Sequence, residues 1–447
     1  MTPRNTDSKH RSDHLTAAFA AAVGAADPLA FVRDSVRSVQ EDVHGGDVWI
    51  LALGKAAARM ARGASEALAE AGIAPAGGVV LSVPGVESPH PLLVAEAGDH
   101  PIPGPASARA ARALRTAAGR VRAGDVVFVL LSGGASSLAA APVDGLTTDD
   151  LAKLFALLHG SGLPIAEVNS VRKQVTRWGG GRLAASMPGA TIRPIVLSDV
   201  IGDDASVVAS GPCEADAGSA SDAIAMLMIE RLWPQLPSGI REYLHSVELG
   251  KRPDTVKPGD SRLLGVLPAI VRGNSDALEA AGRALRTRGV ANVYVAESAL
   301  EGEAATAGSR VVDSLLLLAA QGRGEPVAVV WGGETTVSLG ADAGHPIGGR
   351  CQELALSAAR ALHSARPDSS ELSLLAAGTD GRDGPTDAAG AIVDATTWDS
   401  IAHRGRDPAD DLDAHRAHGA LDAAGCLLRT GPTGTNVADI VIGLALR

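Results

Sequence analysis

The sequence predicts an α/β protein of two domains, each built on a largely parallel sheet flanked by helices. Three observations carry this expectation. Apolar runs of strand length alternate with Ala-rich amphipathic stretches along most of the chain. The strand runs are continuously apolar, as expected of parallel strands buried on both faces. Finally, the 447 residues hold roughly ten such strand–helix units, more than one ordinary sheet accommodates.

The clearest strands are VWILAL (48–53), GVVLSV (78–83), VVFVLL (126–131), IRPIVL (192–197), VYVA (293–296), VAVVW (327–331), LSLLAA (372–377) and VADIVIGLAL (437–446). Helical spacing is read over 56–71, 105–122, 147–159, 274–288, 303–320 and 350–364. The best boundary is ELGKRPDTVKPGDSR (248–262), polar and rich in turn formers. The expected domains are therefore 1–250, of Rossmann-like type, and 260–447, with the last strand a candidate to return to the first domain.

Composition removes several function classes. Aromatic residues make up only 2% of the chain, which leaves no stacking platform for single-stranded nucleic acid. A formal net charge of −11 argues in the same direction. Three widely spaced cysteines, Cys213, Cys351 and Cys426, form no CxxC pair, so neither a zinc site nor a disulfide framework is supported. A reducing cytoplasm is the expectation. The longest apolar runs are too short to span a membrane, so no membrane partner is expected.

In open α/β sheets, ligands bind beyond the carboxyl ends of the strands. The residues that follow the predicted strands are Gly54-Lys55, then SGGASS (132–137), SDVIGDD (198–204), GGETT (332–336) and GTDGRDGPTD (378–387). Glycines, small hydroxyls, one lysine and several acids thus collect at one predicted edge.

Each motif suits a particular chemistry. In SGGASS, the backbone N–H groups around Ser132, Gly133, Gly134, Ser136 and Ser137 can form a concavity for phosphate. The competing reading is an ordinary strand-ending turn. Lys55 follows a strand and opens a helix, where its compact charge suits phosphate. The P-loop pattern is absent, since Trp49 and Ala56 stand at two of its required positions. Asp199, Asp203 and Asp204 follow one strand and Asp380, Asp383 and Asp387 another, though Asp-Gly pairs also favour turns with no ligand. Such carboxylates suit Mg²⁺ shared with phosphate, and one could take a proton from an attacking hydroxyl. Arg350 begins a helix after Gly348-Gly349, and positive charge there calls for a negative group nearby. GGGRLA (179–184) imitates a dinucleotide fingerprint, but helical spacing precedes it where a strand is required.

Assembled in order, ALGKAA (52–57), LSGGASSLAAAPVDGL (131–146), NSVRKQVTRWGGGRLAAS (169–186), VLSDVIGDDASVVASGP (196–212), WGGETTV (331–337), GGRCQELALSAA (348–359), AAGTDGRDGPTDAAGAIVD (376–394) and TGPTGTNVADI (430–440) resemble the glycerate 2-kinases with a MOFRL-type C-terminal domain. The resemblance runs from about residue 15 to the end. It implies an ATP- and Mg²⁺-dependent kinase that phosphorylates the 2-hydroxyl of D-glycerate to 2-phosphoglycerate, with the active site in the cleft between two α/β domains. It also implies catalytic roles for Lys55 and Arg350. Chemistry and placement alone suggest the remaining roles: Ser132, Gly133, Gly134, Ser136 and Ser137 with Lys55 on the ATP phosphates, Asp199 and Asp203 on Mg²⁺, and Asp380 as base. Arg350 would grip the glycerate carboxylate or the transferring phosphoryl group. A homodimer is compatible with the sequence.

Four departures from the family pattern stand out. Ala135 replaces the third glycine of the serine loop. Cys351 stands where asparagine is usual, LSVPGVESPH (81–90) where a Tyr-Gly-His segment is usual, and AHRAHGALDAAG (414–425) where an Asn-Asp-Ser segment is usual. They keep a related sugar acid, such as a tetronate, open as the substrate. A hydroxypyruvate reductase is the rival of a different class.

Overall fold

In the computed structural model, residues 3–39, 45–322, 324–339, 346–366 and 371–446 are described, with side chains from Ser8 onward. The chain forms two compact units. One comprises residues 28–272, the other residues 1–27 together with 273–447. The opening helix α1 (Pro3–Ala25) thus belongs with the C-terminal part of the chain.

The unit of residues 28–272 runs α2 (Pro28–Ser38), β1 (Val48–Leu53), α3 (Ala57–Glu70), β2 (Gly77–Ser82), β3 (Leu93–Ala97), α4 (Pro105–Ala118), β4 (Val126–Ser132), α5 (Ala135–Leu138), α6 (Thr148–His159), α7 (Ile165–Val175), α8 (Arg182–Ala185), β5 (Thr191–Leu197), α9 (Ala220–Ile229), α10 (Ser238–Glu248) and β6 (Ile270–Arg272). Its sheet is parallel throughout, in the order β3-β2-β1-β4-β5-β6. Alternate residues of β1 and β4, Trp49, Leu51, Leu53, Val127, Val129 and Leu131, pack with Ala110 and Leu114 of α4. Each fully buried Leu or Val contributes roughly 1.5–3 kcal/mol relative to exposure. A second apolar cluster lies among α6, α7, α9 and α10, around Leu154, Val171, Leu227 and Leu244.

The second unit adds α11 (Asn274–Thr287), β7 (Asn292–Val295), α12 (Ala304–Gln321), β8 (Val327–Gly333), α13 (Arg350–Ser364), β9 (Leu372–Gly378), β10 (Gly390–Asp394), α14 (Thr397–His403), α15 (Pro408–Asp413), α16 (Ala417–Ala423), β11 (Leu427–Leu428) and β12 (Asp439–Ala445). Its sheet order is β11-β10-β9-β12-β8-β7. Helices α12 and α13 pack together over its core, through Val311, Leu315, Leu354 and Ala358.

The domain division differs from the sequence expectation in three ways. The division falls at 272/273, beyond the 248–262 stretch. That stretch stays with the first unit, since Val256 N donates to Gly180 O at 3.0 Å, Leu267 N donates to Ile192 O at 2.9 Å, and β6 extends the first sheet. Residues 1–27 join the other unit because Leu15, Ala18 and Phe19 of α1 are buried in a helix that packs on α11, β9 and β12. The last strand stays in the second unit, between β8 and β9.

The second sheet is also not parallel in most of its pairings. Among its described strands only β7 and β8 pair in parallel, while β12 runs antiparallel to both neighbours and β10 pairs antiparallel with β9 and β11. A continuously apolar strand reports burial on both faces, which β12 has whichever way it runs. No single described helix is long and apolar enough to cross a membrane.

Candidate functional site

The strand order of the first unit reverses between β1 and β4, the switch point at which doubly wound sheets open a crevice. The two turns that leave this point are Gly54-Lys55 and Ser132–Ser136. They are tied together: Lys55 N donates to Gly133 O at 2.9 Å, and Ala56 N donates to Ser132 Oγ at 3.1 Å. Ser82 Oγ donates to Lys55 O at 3.2 Å from the end of β2. The lysine backbone is therefore pinned from two sides while its side chain stays exposed.

Both glycines of the loop are sterically required. A Cβ on Gly133 would lie 1.8 Å from Asp199 Oδ2. Gly134 has φ of +84°, and a Cβ there would meet His100 Nε2 at 3.2 Å and Lys55 Cε at 3.3 Å. Lys55, His100 and Asp199 thus close around one bare stretch of backbone. Among the described residues, no protein group accepts from the N–H of Gly133, Gly134, Ala135 or Ser136, as an anion cradle needs.

The three serines divide their work. Ser132 is buried, and its hydroxyl is committed to the lysine turn. Ser137 Oγ donates back to Gly134 O at 3.1 Å. Ser136 Oγ lies 2.9 Å from Ser210 Oγ, which donates to Asn169 Oδ1 at 3.2 Å, while Asn169 Nδ2 holds Val207 O at 3.0 Å. Ala209, Ser210 and Gly211 all have φ near +60°, so two non-glycine residues take the left-handed conformation beside the loop. Three separate sequence blocks meet in this chain of polar contacts.

Burial raises the pKa of Asp199, opposed by its own backbone N–H and by the charge of Lys55. A desolvated carboxylate beside an anion cradle fits a Mg²⁺ ion that keeps waters and phosphate oxygens as its other ligands. Asp203 is half-buried in the following turn, with φ of +54°. Among the described residues, no group of three or more His, Cys, Asp or Glu side chains is arranged to hold a metal ion.

His100 was not singled out by sequence reasoning. It is a lone histidine before a proline, with no periodic pattern around it. Asp99 fixes its place by accepting from Ala106 N and Ser107 N at the start of α4. Desolvation, then the charges of Lys55, Arg172 and His159, push its pKa down to about 4. The ring is therefore neutral at physiological pH.

In the second unit, the site forms where β12 begins. Because β12 is antiparallel to its neighbours, its first residue, Asp439, pairs with the last residues of β8 and β9, Gly333 and Gly378. The segments after β8 and β9 therefore flank it. Arg350, the first residue of α13, donates from Nε to Asp439 Oδ2 at 2.5 Å and from Nη2 to Asp439 Oδ1 at 3.1 Å. Its Nη1 donates to Glu334 Oε1 at 2.5 Å. The sequence asked for a negative group near this arginine, and the chain itself supplies two. Burial opposes the arginine's charge, but Asp439 and Glu334 outweigh it and the pKa is raised. Three of its five N–H donors are used, which leaves two for a ligand.

Asp380 is exposed, and its Oδ1 accepts from Arg382 N at 2.9 Å, as in an Asx turn. Gly378 separates it from Asp439: a Cβ on that glycine would lie 3.3 Å from Asp380 Oδ1 and 3.4 Å from Asp439 Oδ1. The buried acid of this loop is Asp383, which caps α13 by accepting from Cys351 N at 3.2 Å and Gln352 N at 2.8 Å. Burial raises its pKa to about 6 against these bonds. Asn274, also missed in the sequence, donates to Val437 O at 2.7 Å and Asp439 O at 3.2 Å, fixing the approach to β12.

The structure thus gathers Lys55, Ser132, Gly133, Gly134, Ser136, Ser137 and Asp199 around one turn, and Arg350 and Asp380 around the start of β12. GGGRLA follows helix α7, so the dinucleotide fingerprint lacks its strand.

Comparison with known proteins identifies the family. The family described as "Domain of unknown function (DUF4147)" matches residues 14–245, and the MOFRL family matches residues 327–439. The glycerate 2-kinase of Pyrococcus horikoshii is 38% identical over 95% of this chain and 94% of its own. A relative from Agrobacterium vitis, provisionally named a hydroxypyruvate reductase, is 37% identical over 94% of this chain and 92% of its own. The crystal structure of Thermotoga maritima glycerate kinase superposes with a TM-score of 0.83 at 32% identity, covering 97% of this chain and all of that one. Matched nearly end to end, the chain belongs to the glycerate 2-kinase family with a MOFRL C-terminal region.

Proposed function

We propose that the chain transfers a phosphoryl group from ATP to the 2-hydroxyl of D-glycerate, giving ADP and 2-phosphoglycerate. The observation that carries this reading is the closure of Lys55 and Asp199 around the bare backbone of Gly133 and Gly134 at a sheet switch point. Phosphoryl transfer needs positioning and charge stabilisation more than covalent chemistry from the protein. Free N–H groups and Lys55 would hold phosphate oxygens. Asp199, with Asp203 as the second candidate, would hold Mg²⁺, which supplies charge neutralisation on the phosphates. Arg350 would use its two remaining donors on the glycerate carboxylate, and Asp380 would take the hydroxyl proton. Work in the cytoplasm suits a kinase of a small metabolite.

The reductase reading has no such support, because the glycine run that imitates a dinucleotide fingerprint sits after a helix. A panel of small hydroxyacids with ATP and Mg²⁺, read by ADP release and by NMR of the phosphorylated carbon, tests the proposal. D-glycerate is expected to be turned over at carbon 2. Release of ADP with a tetronate alone would move the substrate, and NADH oxidation by hydroxypyruvate without ADP release would reject the kinase.

A further inference from the structure

The segment 414–425, where this chain departs from its family's pattern, packs against the turn that delivers Arg350. Ile347, three residues before the arginine, is held on both sides: its N–H donates to His415 O, and His418 N donates to Ile347 O, each at 3.1 Å. On its other flank, the turn is seated by Gly349 against the Asp383 carboxylate, which a Cβ would meet at 2.2 Å. The first turn of α13 is then fixed residue by residue. Gln352 Oε1 lies 3.1 Å from His418 Nδ1, and Gln352 Nε2 donates to Asp383 O and Thr386 Oγ1. Glu353 Oε2 lies 2.9 Å from His415 Nδ1.

The His415–Glu353 contact is expensive to maintain. Glu353 has only 5% of its side chain exposed, and burial raises its pKa against the His415 hydrogen bond and charge. Glu303, at the start of α12, adds a second negative charge facing the pair. His415 itself has φ of +54°, a left-handed conformation that strains a non-glycine residue. An apolar contact could anchor the helix without desolvating a carboxylate. What the polar pair adds is a directional bond, one turn from the arginine.

We propose that His415 and Glu353 are a positioning pair for Arg350, holding the Ile347–Arg350 turn so that the guanidinium's two remaining donors face the substrate carboxylate. This rests on the reading of Arg350 given above. The pair acts through that turn, so its loss weakens the acid's binding and leaves that of ATP alone.

Four variants of the full chain test this, with folding checked by circular dichroism and thermal melting. His415→Gly keeps the left-handed backbone and removes the imidazole. His415→Asn keeps both the backbone and a donor near the Nδ1 position. Glu353→Ala removes the other partner, and the fourth variant combines Glu353→Ala with His415→Gly. The KM for D-glycerate is expected to rise about tenfold in His415→Gly and Glu353→Ala, to rise no further in the double variant, and to stay within about threefold in His415→Asn. The KM for ATP stays within about twofold throughout. An unchanged KM for D-glycerate in both folded single variants, or additive losses in the double, overturns the pairing. If His415→Gly does not fold, His415→Gln decides, since its amide reaches the Nε2 position instead. Equal KM values for the Asn and Gln variants overturn the proposal. Arg350→Ala runs alongside: wild-type turnover there rejects the reading of the arginine itself, whereas its loss beside unaffected His415 and Glu353 variants rejects only the positioning role.

Discussion

Asp439 accepts from both Nε and Nη2 of Arg350, at 2.5 and 3.1 Å, in the side-on geometry that an arginine and a carboxylate prefer. The pair joins the first residue of a helix to the first residue of the last strand. Asp439 has 9% of its side chain exposed against 35% for the arginine, so one partner is sunk in the fold and the other reaches outward. The relationship aims the guanidinium. It also prevents the positive charge from opposing the N-terminus of α13, where the helix dipole disfavours it.

Asp439→Asn should therefore damage both stability and turnover. The amide keeps the shape but offers one acceptor in place of two and removes the charge that compensates the half-buried arginine. A loss of roughly 2 kcal/mol in urea unfolding is expected. A fall in kcat/KM of at least about tenfold should accompany it, because Arg350 would keep Glu334 as its charged partner and only one acceptor at position 439. Wild-type kinetics in a destabilised variant would mean that the pair serves the fold only.

Lys55→Ala separates function from fold at the other locus. The side chain is exposed, while the backbone bonds that pin the turn, through Gly133 O and Ser82 Oγ, do not need it. Stability should stay within about 0.5 kcal/mol of wild type. The kcat/KM should fall by about a thousandfold if the ammonium stabilises the transferring phosphoryl charge. Turnover near wild type would remove Lys55 from the reaction.

Much of this arrangement is legible in the sequence. Lys55, the SGGASS loop and Asp199 each follow a strand, and the rule that ligands gather at strand ends places them together before any geometry is known. What the sequence does not show has physical causes. The direction of β12 leaves no trace in its composition, because burial on both faces makes VADIVIGLAL apolar whichever neighbours it meets. Asp439 is the one charged residue within that run, and its partnership with Arg350, 89 residues away, depends on the unread direction. His100 and Asn274 belong to no periodic pattern and act through single contacts. Asp380 and Asp383 are three residues apart in one turn-forming string. Only burial separates them, with the first exposed and the second capping a helix from across the loop.

The titration of His100 gives a direct probe of the phosphate cradle. In the folded chain its pKa is held near 4, below the 6.5 of the free residue, by desolvation first and by Lys55 next. A depressed histidine pKa means that the folded state binds the proton less readily than the unfolded chain. Its contribution to stability is present above pH 6.5 and is lost as the pH falls through about 4. In NMR titration, the His100 ring signals should stay in the neutral form down to about pH 5, then move. Lys55→Met should shift that midpoint upward by removing the adjacent positive charge. A midpoint near 6.5 in both proteins would contradict the packing of His100 against Gly134 and Lys55.

Asp383 makes the opposite prediction for the pH dependence of folding. Burial lifts its pKa to about 6 from 3.8, even though two backbone N–H groups at the start of α13 favour the ionised form. The folded state therefore binds this proton more tightly than the unfolded chain between about pH 4 and about pH 6. The sign follows: this group's contribution to the unfolding free energy is largest below pH 4, declines as the pH rises through that window, and is flat above it. Two pH units correspond to on the order of 3 kcal/mol. Asp383→Asn cannot titrate, so subtracting its urea-unfolding profile from that of the wild type cancels the groups the two proteins share. The difference, wild type minus variant, should fall from pH 4 to pH 6 and then level off. Parallel profiles, or a difference that rises with pH, would show that the two capping bonds outweigh burial and hold the carboxylate ionised throughout.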